Sequence, residues 1–126
     1  MADDTPIYDL EKRTFQFALR VRHCIGKHKW PVQCWEDTPQ LLRSSGSVGA
    51  NYIEANDSVS DPDFIYRIKI YKKESKESRY WSRLLRACGP EQSKQELGEI
   101  QQEADELMRI FAKILINRGT TDKRTS

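Results

Sequence analysis

The sequence predicts an all-α protein folded as an antiparallel, up-down-up-down four-helix bundle. Four long stretches carry apolar residues at three- and four-residue steps, the period of an amphipathic helix, and no stretch has the two-residue period of a strand. Short segments join these stretches, and short connections favour antiparallel neighbours. A chain of 126 residues can bury one core, so we expect one domain over residues 7–119, between a disordered leader (residues 1–6) and a disordered tail (residues 120–126).

The first helix is expected at about Tyr8 to His28, because Pro31 disfavours helical backbone at Trp30. Its inner row contains Leu10, Phe17, Val21 and Cys24, and its outer row contains the cations Arg13, Arg20 and Lys27. The segment that follows carries Trp30 and Trp35. We expect these two indoles to plug one end of the bundle rather than to stack on bases.

The second helix is expected to begin at Thr38-Pro39, where an N-cap residue precedes proline at the first helical position. One of its faces is a row of small and apolar residues, which would let a partner backbone approach closely: Leu42, Gly46, Gly49 and Ile53. Another face is a polar row at steps of four, four and three: Arg43, Ser47, Asn51 and Glu54.

The third helix is expected to begin at Asp61-Pro62 and to end at Cys88-Gly89-Pro90, with glycine as the C-cap. Its inner row has small central layers formed by Ser75, Ser78 and Ser82. Two carboxylates, Glu74 and Glu77, interrupt a second apolar row. The outer face is a basic stripe roughly 25 Å long at 1.5 Å per residue: Lys69, Lys72, Lys76, Arg79, Arg83 and Arg86.

The fourth helix is expected at about Glu91 to Asn117, and Gly119 should stop it. Its inner row has the most regular spacing in the chain: Leu97, Ile100, Ala104, Leu107, Phe111 and Ile114. Its solvent side is an acidic stripe of Glu96, Glu99, Glu103 and Glu106.

Composition and charge exclude several classes of protein. The chain is 37% hydrophobic and 32% charged, which suits amphipathic helices with wide solvated faces, and its net charge is only +2. No run is long or apolar enough to span a membrane, and the N-terminus lacks the apolar core of a signal peptide, so we expect a cytoplasmic protein. The three cysteines lack CxxC spacing and are expected to be buried, reduced thiols.

A block of residues in the two central helices is similar to a bacterial family of four-helix-bundle proteins encoded in intervening sequences of 23S ribosomal RNA genes. The residues that carry the likeness are Gln40-Leu41-Leu42-Arg43-Ser44-Ser45, Ser47-Val48-Gly49-Ala50-Asn51, Glu54-Ala55, Asp63-Phe64-Ile65, Lys73-Glu74, Glu77 and Tyr80-Trp81. The likeness covers roughly Ile7 to Gly119. It implies a homopentameric barrel, a role in nucleic-acid binding and no catalytic activity. Relatives include accessory proteins of diversity-generating retroelements, which partner a reverse transcriptase.

The basic stripe of the third helix, joined by Arg13, Arg20 and Lys27, is the candidate nucleic-acid-binding surface, because rows of cations displace counterions from a phosphate backbone. Two alternatives remain open at this stage. The stripe can be a solvated face, or it can meet the acidic stripe of a neighbouring protomer in a head-to-tail ring. The alternative function is therefore a structural or adaptor oligomer. Base-reading motifs are absent, so binding would depend on shape and charge.

The polar positions Arg43, Asn51, Glu54, Glu74 and Glu77 are interpreted as structural contacts, with an ion pair between Arg43 and Glu77 across the central hairpin. The rival interpretation is a metal-dependent enzyme that uses Glu54, Glu74 and Glu77. The chain has no Glu-x-x-His pair of the kind that bundle di-iron sites use, and His23 and His28 lie on different faces. No cofactor, metal or catalytic residue is therefore predicted.

Overall fold

The computed structural model describes residues 7–56 and 60–119, with side chains from residues 9–50 and 60–119. Within these ranges the chain forms four α-helices and no strand, which confirms the predicted all-α class. The helices are α1 (Ile7–Lys27), α2 (Asp37–Asn56), α3 (Asp61–Cys88) and α4 (Lys94–Asn117). Two short 3-10 turns, Val32–Cys34 and Glu91–Ser93, lie in the connections at one end of the bundle. The predicted leader and tail fall outside the described residues.

Contacts between neighbouring helices run in opposite directions along the chain. In the α1–α4 pair Arg13 contacts Glu103, whereas Lys27 contacts Glu96. The other three pairs show the same reversal. Between α1 and α2, Thr14 lies near Gly49 and Arg22 near Gly46; between the α2 region and α3, Cys34 contacts Cys88 and Ser44 contacts Ser78. Between α3 and α4, Asp61 contacts Arg118 and Arg79 contacts Asp105. Each helix is therefore antiparallel to the helices that it packs against, as in an up-down-up-down bundle.

The core follows the predicted inner rows with one change. Buried apolar side chains come from all four helices, and Tyr71 of α3 packs edge-to-face on Phe111 of α4 with 5.9 Å between ring centroids. At the end of α4 the buried residue is Leu115, whereas Ile114 is only partly buried. The inner row there continues from Phe111 by a step of four residues rather than three.

The predicted small layers are buried on the inner row of α3, and one of them contacts α2. Ser44 of α2 and Ser75, Ser78 and Ser82 of α3 are fully buried. The hydroxyl of Ser78 donates a 2.8 Å hydrogen bond to the Ser44 hydroxyl, which satisfies a polar group that would otherwise be costly to bury. These small side chains let the two helices approach closely.

The helix boundaries show three differences from the predicted ends. The α2 helix begins at Asp37, and Ser60 rather than Asp61 caps α3, because its hydroxyl accepts a 3.3 Å hydrogen bond from the Asp63 backbone N–H. The α4 helix begins at Lys94, after the 3-10 turn. Gly119 has a positive φ of 76°, the left-handed backbone that favours glycine as a helix stop.

Gly89 caps α3 as predicted, but for a packing reason. Its φ is −83°, and its N–H donates a 2.7 Å hydrogen bond to the Leu85 carbonyl. A Cβ at this position would lie 2.7 Å from the ring of Trp30 and equally close to the Leu85 carbonyl oxygen. Glycine is therefore required because the indole lies directly against the backbone.

Only one of the two tryptophans plugs the end of the bundle. Trp30 is half-buried, and its indole N–H donates a 2.9 Å hydrogen bond to the Ile25 carbonyl. The prediction for Trp35 is wrong, because this side chain is 62% exposed. Cys34, the preceding residue, takes the inward position of the 3-10 turn and is fully buried, so Trp35 faces outward.

Candidate nucleic-acid interface

The most exposed face of α3 is a row of residues at steps of three and four. We call this row the α3 face; its members are Tyr66, Lys69, Lys73, Lys76, Tyr80 and Arg83, and all six are exposed. The two tyrosines are 64% and 55% exposed. From Lys69 to Arg83 the face extends about 21 Å at 1.5 Å per residue. The face is a positively charged strip, with the ring of Tyr66 at its N-terminal end and the ring of Tyr80 between Lys76 and Arg83.

The four cations of this face have no described partner, a feature that they share with the exposed Arg86. Among the described residues, Lys69, Lys73, Lys76 and Arg83 make no ion pair and no side-chain hydrogen bond. No carboxylate in the described part of the chain therefore neutralises their charges.

Two other members of the predicted stripe, Arg79 and Arg86, lie against α4. Arg79 donates a 2.5 Å hydrogen bond to Asp105, and this bond, together with a 2.8 Å bond from Arg109, lowers the pKa of the Asp105 carboxyl. Arg86 lies over Gly98, with its guanidinium carbon 3.1 Å from the position that a Cβ there would take. Lys72 is partly buried. Three members of the predicted stripe, Lys69, Lys76 and Arg83, thus belong to the α3 face, and the prediction omitted Lys73 and Tyr66. The binding role of the stripe stays a prediction.

The three cations of α1 are not part of this surface. Arg13 donates hydrogen bonds to Glu103 at 2.7 Å and Glu106 at 2.8 Å, Arg20 pairs with Glu99, and Lys27 pairs with Glu96 at 3.0 Å. Carboxylates of α4 thus pair with the α1 cations, and the predicted grouping of these cations with the α3 stripe stays a prediction. The same contacts show that the acidic stripe of α4 is engaged within its own chain.

The ion pair predicted across the central hairpin is present. One guanidinium nitrogen of Arg43 lies 2.6 Å from Glu77 Oε1, and the other lies 3.3 Å from Glu74 Oε1. Arg43 thus joins α2 to α3 through both carboxylates that interrupt the apolar row. The side chains of Asn51 and Glu54 lie outside the described residues, so the predicted roles of these two residues stay predictions.

An apolar groove runs between α1 and α2 on the surface of the bundle. It has a volume of about 580 Å³, and its lining includes Phe15, Leu19, Gly46 and Ala50. Phe15 is 61% exposed. The small-residue row was predicted to admit a partner backbone, but at Gly49 the approaching backbone is that of α1 itself: a Cβ there would lie 3.2 Å from the Thr14 carbonyl oxygen.

The thiols gather at one end of the bundle. Cys34 Sγ and Cys88 Sγ lie 3.0 Å apart; burial, together with the neighbouring Cys88 thiol, raises the pKa of Cys34 to about 12. Cys34 and Cys24 are buried as predicted, whereas Cys88 is half-buried. Cys24 lies beside His28 and Glu96, and the potential ligand atoms of these three residues lie within 4.8 Å of one another. No sequence prediction covered this trio.

These features define a four-helix-bundle protein with a row of exposed cations on α3 that no described carboxylate neutralises. No helix in the described part of the chain is both long and apolar enough to cross a membrane. The model of the family described as 23S rRNA-intervening sequence protein matches residues 9–113, and the chain belongs to this family.

A solved structure of a related protein is similar to this chain over most of its length. It is a protein of unknown function from the S23 ribosomal protein family of Bacteroides thetaiotaomicron VPI-5482, with 27% sequence identity and a TM-score of 0.71. The alignment covers 84% of this chain and 97% of that one. A search of curated proteins returned no match. The likeness agrees with the four-helix architecture described above.

Proposed function

We propose that this protein is a non-enzymatic, cytoplasmic bundle that binds structured nucleic acid through the α3 face. The observation that carries the proposal is the row of four exposed cations, Lys69, Lys73, Lys76 and Arg83, that no carboxylate of the described chain neutralises. Such a row of cations displaces counterions from a nucleic-acid backbone, and the entropy of their release favours binding. The family description names 23S rRNA, a structured nucleic acid, and so supports the same class of ligand.

The geometry of the α3 face suits a nucleic-acid backbone. Its length of about 21 Å equals about six base-pair steps of a duplex at 3.4 Å per step. Tyr66 and Tyr80 add exposed aromatic rings, which stack on unpaired bases with little dependence on sequence. No side-chain pattern on this face is suited to reading base edges. We therefore expect recognition by charge and shape, without a preferred sequence.

Assembly would strengthen this binding. Four cations on a chain of net charge +2 give a weak contact, whereas several copies in one ring would bind one nucleic acid by avidity. We propose a homo-oligomer, a pentamer in the form that the family resemblance implies. The partly exposed apolar groove around Phe15 and Leu19 supports self-association, because an exposed apolar surface of this kind marks many subunit contacts. A reverse transcriptase remains a proposed protein partner, as in the retroelement relatives.

The test compares two charge-reversed variants by fluorescence anisotropy with a hairpin RNA and a DNA duplex. Lys69→Glu/Lys76→Glu changes the α3 face; Lys29→Glu/Lys113→Glu changes the net charge equally at two other exposed lysines, neither of which lines the α1–α2 groove. We expect the α3 variant to bind at least about tenfold more weakly than wild type and the control to change binding by less than about threefold. Equal effects of the two variants, or no effect of either, would contradict the proposal.

Light-scattering mass of the same variants separates this function from the alternative, a structural or adaptor oligomer. If the α3 face binds nucleic acid, both variants keep the wild-type mass, because neither changes the α1–α2 groove around Phe15 and Leu19. A lower mass for Lys69→Glu/Lys76→Glu would instead assign the α3 face to subunit contacts and favour the adaptor function.

A further inference from the structure

A cluster of three different ligand types lies between α1 and α4. Cys24 lies in the last turn of α1, His28 directly follows that helix, and Glu96 faces both from the first turn of α4. The thiol sulfur, an imidazole nitrogen and a carboxylate oxygen lie within 4.8 Å of one another. The distance from His28 Nε2 to Glu96 Oε1 is 3.9 Å, too long for a hydrogen bond.

The imidazole of His28 has an unsatisfied polar atom that faces this cluster. Its Nε2 is buried and has no hydrogen-bond partner among the described residues. The ring itself is held in place, because it packs edge-to-face on Trp30 at 5.9 Å and the Trp30 indole is in turn anchored to the Ile25 carbonyl. A buried nitrogen without a partner is costly, and a cation bound at Nε2 would remove that cost.

We propose that Cys24, His28 and Glu96 form a Zn²⁺ site that cross-links α1 to α4. Sulfur, imidazole nitrogen and carboxylate oxygen are the donor atoms that zinc takes in proteins, and three protein ligands leave one position for water. Tetrahedral zinc would hold its ligand atoms roughly 3.3–3.6 Å from one another. The observed separations therefore need to contract by about 1 Å, within reach of side-chain rotation.

The surroundings of the cluster permit such binding. Cys24 is fully buried, and the side chains of His28 and Glu96 are only 13% and 21% exposed, so a bound ion would be shielded from solvent. The competitor for Glu96 is Lys27, whose ammonium lies 3.0 Å from Oε1. This lysine is 59% exposed, and an exposed ion pair of this kind contributes little stability, so Lys27 can release the carboxylate. Zinc would then displace the thiol proton of Cys24, and the thiolate would bind the ion.

The site would add to bundle stability, because α1 and α4 pack less closely than the other neighbouring helix pairs. Ion pairs of Arg13, Arg20 and Lys27 with glutamates of α4 line that contact. A metal ligated from both helices would hold them together at the end of the bundle where Trp30 also packs. Binding to the folded form alone raises the midpoint of thermal unfolding.

The experiment uses the full chain, stripped of metal with a chelator and kept reduced. Calorimetric titration with Zn²⁺ should give one ion per chain, and Co²⁺ should give the absorption bands of a tetrahedral site with a thiolate ligand. Saturating zinc should raise Tm by roughly 5 °C or more.

Three single variants test the ligands. Zinc binding should weaken by more than about tenfold in each of Cys24→Ser, His28→Gln and Glu96→Gln. The last two change partly exposed side chains, so they test the site even if Cys24→Ser does not fold.

Two controls separate this trio from other metal ligands in the chain. His23→Gln changes the exposed histidine on another face of α1, and Cys34→Ser/Cys88→Ser removes the other two thiols. Both controls should bind zinc as wild type does. The proposal is overturned if wild type takes up no zinc at 100-fold excess over the chain, if binding survives in His28→Gln and Glu96→Gln, or if binding is lost with Cys34 and Cys88 instead.

Discussion

Replacement of Phe111 by alanine should lower the free energy of unfolding by about 3–5 kcal/mol, the largest stability effect that we expect from a single substitution in this chain. Phe111 is fully buried in α4, and its ring packs edge-to-face on Tyr71 of α3. Truncation removes this contact and leaves a cavity between the two helices that pack most closely. Urea unfolding followed by circular dichroism measures the change.

Ile116→Ala is the matched control for Phe111→Ala. Ile116 lies on the same helix but is 62% exposed, so its truncation should change the free energy of unfolding by less than about 0.5 kcal/mol. If Phe111→Ala costs less than about 1 kcal/mol, or no more than the control, the α3–α4 core does not have the packing described here.

Replacement of Ser78 by leucine should lower the free energy of unfolding by about 2–4 kcal/mol, because it overpacks the small layer between α2 and α3 and removes a buried hydrogen bond. Ser78 is fully buried, and its hydroxyl lies 2.8 Å from that of Ser44. A leucine side chain can be accommodated only if the helices separate or a side chain leaves its preferred rotamer. The same urea titration applies.

Ser78→Ala separates the two contributions at this position. Alanine removes the hydrogen bond to Ser44 but adds no volume, so we expect a loss of only about 1 kcal/mol. Equal stability of Ser78→Leu and Ser78→Ala would show that α2 and α3 are not in close contact at this layer.

The sequence predicts the interior of this protein better than its surface. The inner rows and serine layers were found because a buried position recurs at helical spacing whatever surrounds it. On the surface, the predicted stripe includes Lys72, which is partly buried, and omits Lys73, which is exposed. Neighbouring lysines differ by about 100° around the helix axis, and only the packing of α3 between α2 and α4 decides which of them faces solvent.

Contacts between helices that are distant in the sequence account for the other features that the sequence alone does not predict. The sequence shows a basic row on α1 and an acidic row on α4, but it does not show whether the two rows meet within one chain or between two chains. The ion pairs Arg13–Glu103 and Arg20–Glu99 answer that question for this bundle. Cys24 and His28 could have been noticed from their four-residue spacing, whereas Glu96 joins them only through the register of α1 against α4.

The salt dependence of nucleic-acid binding tests the role of the α3 face most directly. If Lys69, Lys73, Lys76 and Arg83 all contact phosphates of duplex DNA, log K against log[salt] should fall with a slope of about −3.6 for each bound face. In the neutral variant Lys69→Gln/Lys76→Gln the slope should become shallower by about 1.8. A slope near zero for wild type, or an unchanged slope for the variant, would contradict the account.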